Sequence, residues 1–232
     1  PSIFCTWEWI YTWWEQFGDG YQLLILFIYD GPELKGILPL ASRKAGLKND
    51  WLIGRILSYC GSGEVYPDHL DVISSQDEAA SCLSAITHYL SSEYKEWDVL
   101  QLSSISEGNN FVTWLADDNH KFPSDVKQTS SAPFMSLPGS PEEYLGQLHS
   151  KKKYNLRKME RLLNERHGVK YVSCGENEFE NQETLKTLFE LHSKRANTKK
   201  ITSTFQGASI VNFHENLIHR MQRNNWLWLK TL

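Results

Sequence analysis

The sequence has few of the features that mark disulfide-bonded, metal-binding or membrane-spanning proteins. Its four cysteines are far apart and form no C-x-x-C pair: Cys5, Cys60, Cys82 and Cys174. We therefore expect neither a disulfide framework nor a bound metal, and reduced thiols favour a cytoplasmic location. The longest apolar run, Leu23–Tyr29, is far too short to cross a bilayer, and no signal peptide is visible.

The familiar catalytic and nucleotide-binding motifs are missing as well. The patterns G-x-S-x-G, H-E-x-x-H, Walker A and the Rossmann fingerprint do not occur. The stretch SYCGSG, residues 58–63, follows a predicted strand as a phosphate-binding loop does, but no helix begins directly after it. Glu64, Asp68 and Asp71 come next, and their charge would repel pyrophosphate. We therefore favour a tight turn here.

Charge is unevenly distributed along a chain of otherwise ordinary globular composition. The 232 residues are 41% hydrophobic and 22% charged, and nine tryptophans argue against disorder. Residues 1–140 hold 8 Lys/Arg and 18 Asp/Glu, a net charge of −10, whereas residues 141–232 hold 16 and 10, a net charge of +6. This asymmetry predicts two units, residues 1–138 and 139–232, with an anion-facing surface in the second.

Hydrophobic spacing and turn residues predict the elements of the first unit. Thr6 is expected to cap a helix that ends at Gly18, and residues 21–42 are expected to form a β-hairpin around an Asp-Gly turn. Pro39 should place the second hairpin strand at a sheet edge or a bulge. The remaining predicted elements, in chain order, are a strand at 54–61, an extended stretch at 70–73, a helix at 77–94, a strand at 97–103 and a helix at 109–118.

The second unit is predicted to open with a strand at Ala132–Leu137. Ser140 then caps a helix with Pro141 in its first position, and this basic helix is expected to continue unbroken to Gly168. The rest of the unit reads β-α-α-β: a strand at 169–174, helices at 181–195 and 207–223, and a strand at 226–232. An α/β or α+β architecture follows from this order of elements.

The basic helix has two faces. At about 100° per residue, six apolar residues fall within one broad sector, which is predicted to be buried: Leu145, Leu148, Leu156, Met159, Leu162 and Leu163. Lys153, Arg157 and Arg161 recur every four residues on a different face and form a cationic ridge. The ridge could be a solvated surface, a phosphate-contacting surface or a nucleic-acid surface; the lack of interleaved aromatic residues disfavours the last.

Two further stretches contain side chains able to transfer a proton. Asp68, His69 and Asp71 lie together in YPDHLD, where carboxylates beside a histidine could act as a general base or bind a metal. A Pro-Asp turn explains Asp68 equally well without any function. His192 and Arg195 lie on adjacent turns near the end of a predicted helix, where the helix dipole alone favours a histidine.

Several stretches together resemble the CelD-type acetyltransferases, which belong to the FemAB-like tandem GNAT proteins and are linked to polysaccharide biosynthesis. These stretches are PSIFCTWEWIYTWWEQFG, LLILFIYDGPELKGILPL, CGSGEVYPDHLD, SKKKYNLRKMERLL and LFELHSKRAN with the STF that follows. The family pattern R-x-N-L-R-[RK] occurs here with Lys153 in the first arginine place. The pattern L-H-x-x-R-W includes His192 and Arg195, but Ala196 replaces its tryptophan.

The resemblance implies an α/β (α+β) fold with a GNAT-like mixed sheet flanked by helices, the first unit being a degenerate GNAT-like domain. It also implies N-acyl transfer from acetyl-CoA or another acyl-CoA, without a metal, to an amine of a small molecule or glycan precursor. The acyl-CoA loop of such a fold is expected beyond Leu232. Residues 139–232 would then be an incomplete second domain, and the chain as given is expected to be inactive.

The resemblance also points to particular side chains. The candidate catalytic residues are Asp68, Asp71 and His192, and the candidate substrate-binding residues are Lys153, Arg157, Arg161 and Arg195. Two alternative functions stay open at this stage. One is a FemAB-like peptidyltransferase that uses aminoacyl-tRNA, whose phosphates the basic helix would contact. The other is a degenerate GNAT scaffold that binds a partner without catalysis.

Overall fold

The computed structural model describes residues 2–46, 52–116, 123–169, 172–174 and 178–231. Its α-helices are α1 (Trp7–Phe17), α2 (Ala79–His88), α3 (Asn110–Ala116), α4 (Pro141–Gln147), α5 (Ser150–His167), α6 (Glu178–Lys199) and α7 (Ala208–Arg223). Its strands are β1 (Gln22–Asp30), β2 (Glu33–Gly46), β3 (Leu52–Tyr59), β4 (Ile73–Ser74), β5 (Val99–Gln101), β6 (Val172–Cys174) and β7 (Leu229–Thr231). A 3-10 turn at Ile3–Cys5 precedes α1, and a π-helical turn at Tyr89–Glu93 extends α2.

The larger sheet is mixed and has helices on both faces. Its strand order is β1-β2-β3-β5, with β4 also paired to β2; β1, β2 and β3 run antiparallel, whereas β3 and β5 run parallel. Leu40 and Ala41 are neighbours in β2, so their side chains point to opposite faces. Leu40 packs in the core beneath α2 and α3, and Ala41 packs in the core beneath α1. The predicted fold class, a mixed sheet flanked by helices, is confirmed.

Helix α1 begins as the sequence predicts and is tied to the turn that follows β3. The Thr6 hydroxyl accepts a hydrogen bond from the Trp9 backbone N–H at 3.4 Å, and the Trp9 indole donates to the Gly61 carbonyl at 3.0 Å. Gly61 has φ +89°, and a Cβ there would lie 2.8 Å from the indole ring. The Ser62 N–H donates to the Tyr59 carbonyl at 3.3 Å, which closes the turn. The tight turn predicted for residues 58–63 is confirmed.

The predicted hairpin is present as β1 and β2, but the expectation for Pro39 is wrong. Pro39 pairs with Ile25 of β1, and β2 is a central strand because β3 and β4 both pair with its other edge. The segment paired with β4 ends at Ile37, and the segment paired with β3 starts at Leu40. The Pro39 carbonyl accepts from the Cys60 N–H at 3.0 Å, so the proline nitrogen also faces this junction. Neither β3 nor β4 needs a hydrogen bond from a backbone N–H of residue 39, so a proline, which has no N–H, is tolerated at this position.

The strand predicted at Ala132–Leu137 is also wrong. Residues 123–138 form no regular element, and the Phe134 side chain is 90% exposed. Apolar composition alone does not make a strand, because the backbone groups of a strand need a neighbouring strand as partner. Among the described residues, no strand pairs with this segment.

The basic helix is interrupted, contrary to the prediction of one continuous element. Ser140 and Pro141 begin α4 as expected, with the Ser140 hydroxyl accepting from the Glu143 N–H at 3.1 Å. The chain then leaves the helix at Leu148 (ψ 141°), and the His149 ring accepts from the Lys151 N–H at 3.4 Å to start α5. Gly146 weakens the helix just before the break by about 1 kcal/mol relative to alanine.

Helix α5 ends where the sequence predicts, but its apolar face is not buried. Gly168 has the left-handed conformation (φ 56°) typical of a helix end. Leu156, Met159 and Leu163 are exposed, and no side chain of α5 is buried. The prediction of a buried stripe is therefore wrong, because sequence spacing identifies a face that could be buried, whereas tertiary contacts decide whether it is.

The predicted β-α-α-β order after α5 is confirmed, and the second helix of this unit packs against α1. Strands β6 and β7 pair antiparallel, with Ser173 opposite Lys230, and α6 and α7 lie between them in sequence. Helix α7 packs along α1: the fully buried Phe213 ring lies 5.0 Å from Trp9 and 6.0 Å from Phe17. The division of the chain at residues 138 and 139 stays a prediction.

Candidate active site

A histidine and a buried serine meet where α6 turns into α7. His192 lies on α6, and its Nδ1 is 2.8 Å from the Ser203 hydroxyl oxygen. Ser203 is only 4% exposed, and its oxygen also accepts from the Phe205 backbone N–H at 3.3 Å. The chain reverses after α6 through Lys200 in the left-handed conformation (φ 57°), with the Ile201 N–H donating to the Ala196 carbonyl. This reversal brings Ser203 back against α6.

Aromatic packing holds the His192 ring from its other side. The ring stands edge-on to Phe205, with centroids 4.9 Å apart, and Phe205 contacts Phe189 at 5.0 Å and His214 at 5.1 Å. Burial lowers the pKa of His214, which favours its neutral form in this apolar cluster. His192 itself is half-buried, with Ser203 and Phe205 fixing the position of its ring.

The His192–Ser203 pair has the geometry needed to position an imidazole for proton transfer. A hydrogen bond at Nδ1 fixes the ring plane, and its direction determines the tautomer. When the Nδ1–H group donates to the serine oxygen, the Nε2 lone pair is available to accept a proton from a bound amine.

Asp71 is engaged within the fold rather than presented on its surface. Its carboxylate accepts from the Val72 N–H at 2.8 Å and from the Asn110 side chain at 2.9 Å, and so holds the 68–71 loop to the start of α3. Burial raises the pKa of Asp71 above its ordinary value of 3.8. Asp68 has an exposed side chain, and its carbonyl accepts from the Ser2 hydroxyl at 3.5 Å.

The predicted substrate-binding residues lie on two different helices. Arg195 is exposed on α6, one turn beyond His192, whereas Lys153, Arg157 and Arg161 lie on α5. Arg161 pairs with Glu165 at 3.6 Å. Among the described residues, no hydrogen bond or ion pair joins His192 to Asp68, Asp71 or the α5 cations. The roles of all these residues stay predictions.

Sequence reasoning missed two residues that the structure places at key contacts. Ser203 lies in the STF stretch that contributes to the family resemblance, but no pattern in the sequence gives it a role of its own. Arg220 of α7 donates to the Thr12 hydroxyl at 2.6 Å, pairs with Glu15 at 2.7 Å and lies over the Tyr11 ring at 4.9 Å. The helical spacing in the sequence could have identified Arg220 as a contact residue. It lies two helical turns after Phe213, on the face of α7 that packs against α1.

The described surface also has two open depressions, each about 300 Å³ in volume. One is lined by Asn216, His219, Arg220 and Arg223 of α7, and the other by residues 135 and 137–141 with Tyr144. Within the part of the chain that the structure describes, no three His, Cys, Asp or Glu side chains come together as a metal site would require. No described helix combines the length and apolarity needed to cross a membrane.

Residues 150–232 match the family model described as an acetyltransferase (GNAT) domain. The match covers α5 through β7, and therefore includes His192, Ser203 and Arg195. Neither curated proteins nor solved structures give a match. This part of the chain, about a third of its length, is therefore similar to GNAT acetyltransferase domains, which use acyl-CoA.

Proposed function

We propose that the protein is an acyl-CoA-dependent N-acyltransferase of the CelD type, acting on an amine of a sugar or polysaccharide precursor. The observation that carries this proposal is the GNAT match over residues 150–232. The antiparallel pairing of β6 with β7, with α6 and α7 between them in sequence, supports it because this is the order expected for the opening of a GNAT domain.

In the proposed reaction, the acceptor amine attacks the thioester carbonyl carbon. A carbon–nitrogen bond forms, the carbon–sulfur bond breaks, CoA leaves as a thiolate and the amine nitrogen loses a proton. His192 accepts that proton at Nε2, while Ser203 fixes the ring through Nδ1 at 2.8 Å. Ser203 is a positioning residue, since its buried oxygen acts only through His192.

The cationic side chains have a binding role in this proposal. Arg195 lies one turn from His192 with an exposed side chain, so it can contact an anionic group of the acceptor. Lys153, Arg157 and Arg161 supply further positive charge on α5. Asp68, with its exposed side chain, would contact the acceptor, whereas the hydrogen bonds of Asp71 suit it to holding the 68–71 loop in place.

A coupled assay of binding and turnover tests the proposal. The full-length protein is heated with acetyl-CoA or CoA at about 1 mM, and a rise in melting temperature is expected because ligands stabilise the state that binds them. Chromatography then follows acetyl-CoA loss and amide formation with a panel of amino sugars. His192→Ala should abolish turnover, whereas His88→Ala, at an exposed position of α2, should not. No thermal shift and no amide product would contradict the proposal.

A further inference from the structure

Three apolar side chains lie in solvent along one side of helix α5. We call Leu156, Met159 and Leu163 the α5 apolar row; they are 48%, 64% and 43% exposed. At about 100° per residue they fall within a sector of about 60°. A helix of a globular protein normally turns such a row toward its core. The row therefore presents an apolar surface that suits a partner outside the described fold.

Positive charge surrounds the row on the same helix. Helix α5 carries Lys151, Lys152, Lys153, Arg157, Lys158, Arg161 and Arg166, against Glu160 and Glu165. Among the described ion pairs of α5, only Arg161 is engaged, with Glu165. By the same helical angle, Lys152 and Arg166 fall close to the row, one before it and one after it. Lys152 and Arg166 therefore lie near the two ends of the apolar row along the helix, and neither has an acidic partner among the described residues.

The chain before α5 adds exposed apolar side chains to this stretch. Phe134, Met135 and Leu137 are 90%, 55% and 81% exposed. Met135 and Leu137 line one wall of the open depression that Tyr144 of α4 completes. Residues 134–163 therefore combine bulky apolar groups with a dense cluster of cations.

We propose that α5 and the segment before it dock on the surface of an anionic lipid bilayer. The α5 apolar row enters the boundary between headgroups and acyl chains, and the lysines and arginines contact lipid phosphates. Such a bilayer satisfies both the α5 apolar row and the cations, because it supplies an apolar layer and negatively charged headgroups together. The proposal does not depend on acyl transfer, although docking would bring the GNAT-matched residues to a membrane surface.

Other partners use only part of this surface. A nucleic acid would neutralise the cations but leave the α5 apolar row in water, because phosphates offer no apolar contact. A second copy packed face to face would set seven positive charges of one α5 against seven of the other, which is unfavourable. Charge complementarity therefore favours the anionic bilayer.

Vesicle sedimentation tests the proposal on the whole protein. Vesicles of phosphatidylcholine alone are compared with vesicles containing about 30% phosphatidylglycerol, in low and in physiological salt. The test variant is Leu156→Gln with Met159→Gln and Leu163→Gln. The control variant changes three exposed apolar residues of the β1–β2 hairpin: Leu23→Gln, Ile25→Gln and Leu34→Gln. Circular dichroism checks that each variant is folded.

We expect the protein to bind anionic vesicles and not neutral ones, and the test variant to lose about tenfold in affinity while the control binds as the parent does. A second variant, Lys153→Glu with Arg157→Glu, should lose binding and keep its fold. Several results would overturn the proposal: no vesicle binding, equal loss in test and control variants, or dimerisation that the test variant abolishes. RNA is the remaining competitor. If RNA displaces the protein from vesicles and the test variant still binds RNA fully, the surface binds nucleic acid and the bilayer proposal is overturned.

Discussion

Arg220 of α7 and Glu15 of α1 form an ion pair of 2.7 Å across the junction between the two ends of the chain. The same guanidinium donates to Thr12 and lies over Tyr11 at 4.9 Å. The Arg220 side chain is 20% exposed, so water replaces these contacts poorly when they are removed. This one side chain therefore links residues more than two hundred positions apart in the sequence.

Replacing Arg220 with glutamine should lower the free energy of unfolding by about 2–3 kcal/mol, because Glu15 is left partly buried without its partner. Urea denaturation followed by tryptophan fluorescence measures the loss. Arg223→Gln is the matched control, since Arg223 is exposed on the same helix, and it should change stability by less than about 0.5 kcal/mol. Equal losses in the two variants would show that the ion pair and the ring contacts contribute little.

Phe213→Ala should lower the free energy of unfolding by about 3–5 kcal/mol, because the side chain is fully buried between Trp9 and Phe17. Asn212→Ala, exposed next to it, should have little effect. The parent protein should unfold in a single transition by fluorescence and by circular dichroism, since α7 completes the core beneath α1. Two separate unfolding transitions, of which Phe213→Ala shifts only one, would instead indicate two units that fold independently.

Ser203→Ala should change the state of His192 more than it changes the fold. Without the serine oxygen at 2.8 Å, the ring loses its preferred tautomer and orientation. Nitrogen NMR of the imidazole measures the tautomer directly, and the pH profile of turnover should shift as well. Ser203→Thr keeps the hydroxyl and should restore both readings. Unchanged imidazole signals in Ser203→Ala would contradict the positioning role, whatever happens to activity.

His214 should make the protein less stable in mild acid. Burial lowers its pKa below the ordinary value of 6.5, so the folded state binds a proton less readily than the unfolded chain does. Stability is therefore lost as pH falls below about 6.5, until the folded-state pKa is passed. His214→Phe suits the surrounding rings and removes this proton, so its stability should fall less between pH 7 and pH 5. Identical pH dependence in the two proteins would contradict the assignment.

Arg157→Glu should weaken acceptor handling in the acetyltransferase assay without unfolding the protein. Arg157 is exposed on α5 and makes no described ion pair, so the charge reversal should change stability by less than about 0.5 kcal/mol. The expected signature is a raised KM for the acceptor with an unchanged melting temperature. A large fall in melting temperature with unchanged KM would make the residue structural instead.

Local signals in the sequence predicted most elements correctly. Thr6 and Ser140 begin helices because a hydroxyl can satisfy an otherwise free N–H, and Gly168 ends one because it accepts φ 56°. The Asp30-Gly31 turn predicted the hairpin for the same reason. These features depend only on residues close together in the chain, which a sequence displays directly.

Three of the failed predictions depended on distant partners. The strand expected at 132–137 needs another strand beside it, and the α5 apolar row needs a second surface to be buried. Pro39 is tolerated in a central strand only because β2 changes neighbours at that point. In the candidate site, His192 was visible as a reactive side chain, but Ser203 acquires its role from the chain reversal at Lys200. None of these relations has a local pattern.

The packing of Phe213 against α1 also bears on synthesis of the protein. Trp9 and Trp13 leave the ribosome about two hundred residues before Phe213, the side chain that fills the space between α1 and α7. Until then, two tryptophans of the first helix lack part of their apolar cover. The apolar core beneath α1 is therefore completed only after α7 has been synthesised, and until then part of its apolar surface is exposed on the nascent chain.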